Sequence, residues 1–301
     1  MSASPGVAVD LILNADDYGL HPVVDDSILE CFAAGVLTSA SLMVNQSGWL
    51  QAAERAKAAG LPLGLHFNLT LGRPVSPLRD VPGLVDSHGC FLTRRALLLR
   101  LLTGRVGSET IAVELQAQWR RFVNAGLAAD HLDSHQHIHA HPRVGAALAD
   151  LARQQSVPLR FLTPLIRRAS SAPLLKRVKQ QVVYRQARSQ ARRWGRYIAH
   201  NDFLVSVFDV MNNGVPDAED YAVIFDALAD TGRQGMAECG SRPVVEWMLH
   251  PVSDARAVAG RTRIGAVSAA EYRHLLSDIF SQALAQTAVR LIRYQDIVAR
   301  G

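Results

Sequence analysis

The sequence predicts an α/β fold: an irregular (β/α) barrel of the TIM-barrel kind with a basic helical insertion. Three observations predict it. Short apolar strands alternate with amphipathic helical stretches, giving about eight strands over the 301 residues, the pattern of a parallel sheet with helical crossovers. Acidic residues and histidines stand where strands end, the edge on which α/β barrels keep their chemistry. No Gly-x-Gly-x-x-Gly follows the first strand and no P-loop occurs, so the competing open, doubly wound nucleotide-binding sheet lacks its sequence support.

In order, the pattern predicts a strand at Val9–Asn14, a helix near Val23–Ala34, a strand near Ser39–Val44 and a helix near Gly48–Ala59. The apolar run around His66 is the third strand. A loop from Gly72 to Thr93 follows, too long for a connector and expected to cover the mouth of a site. Next come a helix near Glu109–Ala125, a strand at His131, a helix after Pro142 and a strand at Leu159–Leu162. The last third predicts strands at Phe203–Phe208, Val244–Leu249 and Val289–Tyr294, with helices near Ala218–Ala229 and Ala269–Ala283. No repeat or low-complexity linker divides the chain, so residues 1–301 read as one barrel domain that includes a basic helical segment at about 167–196.

The net charge is +5, yet its distribution matters more than its size. Ten Lys or Arg and no acid lie between Arg167 and Arg196, and subtracting those ten from +5 leaves −5 for the rest. Such a run reads first as a solvated helical face, with Leu175, Val178 and Val182 spaced to dock it. The sharper reading is peripheral contact with an anionic membrane or an acidic glycan. No nucleic-acid recognition motif accompanies the charge, so no nucleic-acid partner is expected. Cys31, Cys90 and Cys239 are odd in number and far apart, against a disulfide framework or a thiolate zinc site. With no basic n-region at the start and no apolar stretch of spanning length, the expected compartment is the cytoplasm.

The chemistry is concentrated in three segments. Leu11-Ile12-Leu13-Asn14-Ala15-Asp16-Asp17-Tyr18-Gly19 runs an apolar strand into two carboxylates and a glycine. Neighbouring side chains on a strand face opposite ways, so both acids address one site only where the strand is ending. Alone, the pair would also suit a turn or a helix cap before His21-Pro22. Leu63-Gly64-Leu65-His66-Phe67 adds one histidine, and His131 to His141 holds five of the chain's eleven.

Two imidazoles and a carboxylate are a common ligand set for a catalytic divalent metal, which Asp17, His66 and His135 supply from three strand ends. Asp16 is left as a general base for metal-assisted hydrolysis. His250, closing Glu246-Trp247-Met248-Leu249, is placed to protonate a departing amine. His137, His139 and His141 share a strand face with His135 at spacing two, as a second shell or at the site mouth. Asp133 orients a ligand histidine or caps the next helix. Trp247 reads as core more readily than as a sugar platform.

These residues resemble the YdjC-like carbohydrate deacetylases. The motifs, in the family's order, are Asn14-Ala15-Asp16-Asp17-Tyr18-Gly19, the stretch Gly35 to Val44, Gly64-Leu65-His66-Phe67, His131 to His139 and, more loosely, Leu249-His250-Pro251. The resemblance covers residues 9 to 165 well and the surroundings of His250 less closely; the basic segment matches no family motif. It implies an irregular (β/α) barrel, Asp16 as base, Asp17, His66 and His135 as metal ligands, and His250 as acid. The implied activity is a hydrolase that removes the acetyl group from an N-acetylated sugar or oligosaccharide and releases acetate. One divalent metal ion is expected, zinc or magnesium foremost, with cobalt, nickel or iron as alternatives. Hydrolysis of another amide or ester, and a non-catalytic sugar-binding protein on the same barrel, are the rival readings. A homodimer is the default assembly for such a domain.

Overall fold

The computed structural model describes residues 7–166, 174–211, 214–239 and 242–297, the side chains of 174–183 and 235–239 excepted. Seven strands form one sheet: β1 (Val9–Tyr18), β2 (Ser39–Leu42), β3 (Leu63–Phe67), β4 (Ala129–Ser134), β5 (Phe203–Val205), β6 (Val244–Leu249) and β7 (Val289–Leu291). Their order is β4-β3-β2-β1-β6-β5, with β7 beside the start of β1. Every pairing is parallel, so all C-terminal strand ends lie on one edge, as helical crossovers require.

The expected strand at Leu159–Leu162 is instead a seam. Residues 158–165 touch both outer strands through the bridges Leu132↔Leu159 and Pro164↔Leu204. Leu132 N donates to Pro158 O and Arg160 N to Leu132 O on one side; Leu204 N donates to Thr163 O and Leu165 N to Leu204 O on the other. The sheet curls until its edges meet across this segment. Pro158 and Pro164 carry no N–H to continue a ladder, which keeps it from becoming an eighth strand.

Ten helices among the described residues surround the sheet: α1 (Pro22–Ala33), α2 (Trp49–Ala59), α3 (Arg94–Leu102), α4 (Ser108–Asn124), α5 (Pro142–Gln155), α6 (Leu174–Trp194), α7 (Val207–Val210), α8 (Ala218–Cys239), α9 (Gly265–Leu275) and α10 (Asp278–Gln286). Three sequence expectations shift. A helix the pattern does not predict, Arg94–Leu102, follows the Gly72–Thr93 loop, and that loop is pinned by Glu114 of α4, whose carboxylate accepts from Val75 N at 2.8 Å and Ser76 N at 2.9 Å. The helix expected near Ala269–Ala283 is two, broken at Ser277, whose hydroxyl caps the second. Phe203–Phe208 is a strand of three residues followed by a short helix capped by Ser206.

The two faces of the sheet are filled differently: Leu11, Leu13, Leu65 and Val245 belong to the apolar cluster packed under the helices, whereas Asp133, Arg160 and Glu246, also fully buried, lie on the enclosed side. Trp247 lies in the apolar part, its ring 5.3 Å from Phe225 and 5.7 Å from Phe280. It is a core residue with no face free for a sugar. Of the basic segment, α6 is helical from Leu174 to Trp194. Residues 167–173 and the side chains of Leu175, Val178 and Val182 lie outside the described residues.

Candidate active site

β1 does not stop at the acid pair; it bends there. Asp17 has φ 69°, and the pairing of β1 with β2 slips between Ala15 and Tyr18. An extra residue in one strand re-aims the side chains around it, so the two carboxylates reach the same end of the sheet although they are neighbours in sequence. A positive φ is costly for a residue with a Cβ, least so for Asp and Asn. Gly19, at φ 85°, completes the turn, and a Cβ there would lie 2.9 Å from Leu42 Cδ1.

Asp17, His66 and His135 converge, as the ligand pattern requires. One ligand atom from each lies within 4.8 Å of the others. Asp17 Oδ1 is 2.9 Å from His135 Nδ1 and 3.3 Å from His66 Nε2. The opposite nitrogen of His66, Nδ1, donates to Asp133 Oδ1 at 2.8 Å, the carboxylate support that fixes a ligand imidazole's tautomer and direction. Burial disfavours charge on His66, but the carboxylates of Asp133 and Asp16 outweigh it and raise its pKa to about 10. Burial likewise disfavours charge on Asp17, while His135 and His66 hold it ionised well below the usual carboxylate range. A cluster so rich in negative charge suits a divalent cation, and the donor set fits one.

A second group, Asp16, His66 and Asp133, is equally compact, yet a cation already serves it. The Arg160 guanidinium, fully buried, donates to Asp16 Oδ2 at 2.8 Å and Oδ1 at 2.7 Å, and reaches Asp133 Oδ2 at 2.7 Å. Its far side donates from Nε to Glu246 Oε1 at 2.8 Å, and the Tyr294 hydroxyl donates to Glu246 as well. Burial works against ionised Asp16, and Arg160 with His66 brings its pKa below the ordinary value. At neutral pH it is a carboxylate, the form a base needs.

His250 ends β6 with Nε2 3.9 Å from Asp16 Oδ2. Burial lowers its pKa. Its backbone N–H donates to Glu271 Oε2 of α9 at 2.7 Å, and burial pushes the pKa of Glu271 up to about 8.

The remaining histidines depart from the expected strand. His135–Ala140 is a 3-10 turn with Gln136 at φ 54° and His137 at φ 53°, so His135, His137, His139 and His141 do not share one face. His139 is held by the Ser134 hydroxyl; His141 caps α5, its Nδ1 accepting from Arg143 N at 3.3 Å. Asp133 is the orienter of His66, not a cap.

Sequence reasoning passed over Arg160, Glu246 and His131. Each was signalled by a charge or histidine inside an apolar run, as in Val157-Pro158-Leu159-Arg160-Phe161-Leu162. His131 is buried, its Nε2 3.0 Å from the Ser41 hydroxyl and its ring stacked 4.2 Å from Tyr294. Gly64 makes the room: a Cβ there would lie 2.3 Å from His131 Cε1.

A curled parallel α/β sheet with a buried Asp/His cluster at the C-terminal ends of its strands defines the class. Residues 10–286 match the YdjC-like protein family, and the chain belongs to it. It is 43% identical over 152 residues to a carbohydrate deacetylase of Brevibacillus brevis, and 39% identical over 156 residues to a chitooligosaccharide deacetylase of Serratia marcescens. Each alignment covers 50% of this chain and 58% of the relative. A carbohydrate deacetylase of Homo sapiens is 38% identical over 149 residues, covering 49% of this chain and 46% of that protein. Among solved structures, a proposed cellobiose-phosphate cleavage protein of Enterococcus faecalis V583 shares the fold, with TM-score 0.73 and 24% identity over 96% of this chain and 99% of that one.

Proposed function

We propose that the chain is a metal-dependent deacetylase acting on an N-acetylated sugar or oligosaccharide. One observation carries the reading: the compact Asp17, His66 and His135 trio lies directly beside an ionised Asp16 that faces His250 across 3.9 Å. The names of the bacterial and human relatives support the substrate class. Asp17, His66 and His135 would hold one divalent ion, zinc or magnesium foremost, which when bound supplies Lewis acidity and brings the pKa of water towards neutrality.

Asp16, fixed by Arg160, takes the proton of the attacking water. The acetamide carbon becomes tetrahedral, and its collapse breaks the C–N bond only if the nitrogen is protonated. The proton taken by Asp16 passes to Nε2 of His250, and the resulting imidazolium delivers it to the nitrogen, returning to the neutral ring. Acetate and the free amino sugar are the products.

Acetate release from acetylated mono- and oligosaccharides, with the chain first stripped by a chelator and then supplied with single metals, tests this reading. Restoration by a divalent ion is the expected result; no acetate from any acetylated sugar under any metal would overturn it.

The exposed arginines of α6, Arg185, Arg188, Arg192 and Arg193, support peripheral contact with an anionic membrane. Ala187 anchors this helix against Leu162, Leu204 and Met248, and Gln190 donates to His139 O at 2.6 Å, so the arginine face adjoins the strand ends that carry the site. Among the described residues no helix is long and apolar enough to cross a membrane. The widely spaced cysteines suit a reducing compartment.

A further inference from the structure

A small pocket beside the acid pair is built in two halves. Asp16, Asp17 and His250 form one; Leu20, Val24, Val252 and Ile264 form the other, and Thr262 and Ser268 also line the pocket. The apolar half comes from two places in the chain: the turn into α1 and the segment leading from His250 into α9. Leu20, Val24 and Val252 are each at most 4% exposed. Neither is a loose surface. Ser268 O accepts from Val252 N at 3.2 Å, and Ser253 N donates to the Ser27 hydroxyl of α1 at 2.8 Å, which ties the two walls together.

The cavity between the halves is about 10 Å³, roughly what one water needs. A methyl group occupies about the same space as a water. A sugar ring is larger than this space. What suits such a place is one small apolar group whose neighbouring atom is attacked by groups on the opposite wall.

We infer that Leu20, Val24, Val252 and Ile264 form the acyl pocket, which seats the methyl of the acetamide and restricts the enzyme to acetyl. The inference rests on the deacetylase reading above and adds the acyl specificity of the same site. The carbonyl of a seated acetyl group points to the polar half, where Asp17 is shared with the trio of candidate ligands, and its nitrogen faces His250. A propionyl group adds one methylene that must displace a packed side chain, and a formyl group leaves the apolar half unfilled.

One series of chitooligosaccharides carrying N-formyl, N-acetyl, N-propionyl or N-butyryl groups tests it. With the unaltered protein, kcat/KM should be highest for acetyl and fall at least about tenfold to propionyl, the size of effect one methylene has in an apolar pocket. Ile264→Ala and, separately, Val252→Ala should narrow the acetyl-to-propionyl ratio by about tenfold. As a comparison independent of variants, acetate should inhibit at least about tenfold more strongly than butyrate. Butyryl cleaved within about twofold of acetyl, or ratios unmoved in both folded variants, would overturn the acyl pocket while leaving deacetylation standing. Failure to cleave any member of the series would instead fall on the deacetylase reading itself.

Discussion

Arg160 holds Asp16 by two parallel hydrogen bonds, Nη1 to Oδ2 at 2.8 Å and Nη2 to Oδ1 at 2.7 Å, 144 residues apart in sequence. The same guanidinium meets Asp133 and Glu246, so one side chain fixes the candidate base and the residue that orients His66. A fork is needed for this; an ammonium is a point charge. Arg160→Lys should therefore fold but lose most activity, mainly in kcat. Arg160→Ala leaves buried carboxylates without a counter-charge and should cost about 3–5 kcal/mol of stability. Denaturant titration and steady-state kinetics measure the two effects, and wild-type kcat in Arg160→Lys would show that the fork is dispensable.

The two neighbouring acids should separate by experiment. Asp16→Asn keeps the trio and should bind metal normally while losing about a hundredfold or more in rate, as loss of a general base does. Asp17→Asn, His66→Ala and His135→Ala should each lose metal as well as rate. Elemental analysis of the four purified variants decides, and full metal content in any of the last three would remove that residue from the ligand set.

Gly64 and His131 form a steric pair. Gly64→Ala should cost about 1–3 kcal/mol through overpacking, because the ring it meets is already stacked on Tyr294. In a His131→Ala background the same change should cost little. A double-mutant cycle by thermal unfolding reads the coupling; equal costs in both backgrounds would mean that the ring yields freely.

Glu271 gives a signed pH dependence. Its pKa rises from the ordinary 4.5 to about 8 on burial, so the native state retains a proton that the unfolded chain has released. The stability this lends is complete below pH 4.5 and is lost as pH rises through about 8. Glu271→Gln can still accept from His250 N and cannot ionise. Its Tm relative to wild type should increase across that interval, and a constant difference would show that Glu271 does not titrate there.

The arginines of α6 should attract anionic lipid by about 1 kcal/mol per well-placed charge, with salt weakening the attraction. Replacing Arg185, Arg188, Arg192 and Arg193 by Gln should reduce sedimentation with phosphatidylglycerol vesicles at low ionic strength and spare hydrolysis of a small sugar. Equal sedimentation of the variant would leave the helix a solvated face.

Local rules carried the reading of the sequence far where a strand ran into a polar residue. Asp17, His66 and His135 were legible as a group because each interrupts a clear apolar run at its end. Arg160 and Glu246 interrupt such runs in the middle, where a periodic pattern gives no hint of which distant charge will meet them. The histidine-rich stretch departs from its expected strand because alternation at spacing two implies a strand, whereas the positive φ values of Gln136 and His137 are set by tertiary packing. The split at Ser277 and the seam at residues 158–165 depend on a hydroxyl cap and on prolines, signals that are visible in sequence but weaker than hydrophobic periodicity.

The seam has a dynamic consequence. Two backbone hydrogen bonds tie it to β4 and two to β5, so a short joint closes the ring of strands there, and such joints open locally at less than the global unfolding free energy. Arg160 sits on that joint. Each opening would draw the guanidinium away from three carboxylates, which makes the buried charge network the latch that resists it. Occupancy of the site by metal or sugar then stabilises the closed ring by mass action, and amide exchange at Arg160 and Leu204 should slow on binding more than exchange in β1.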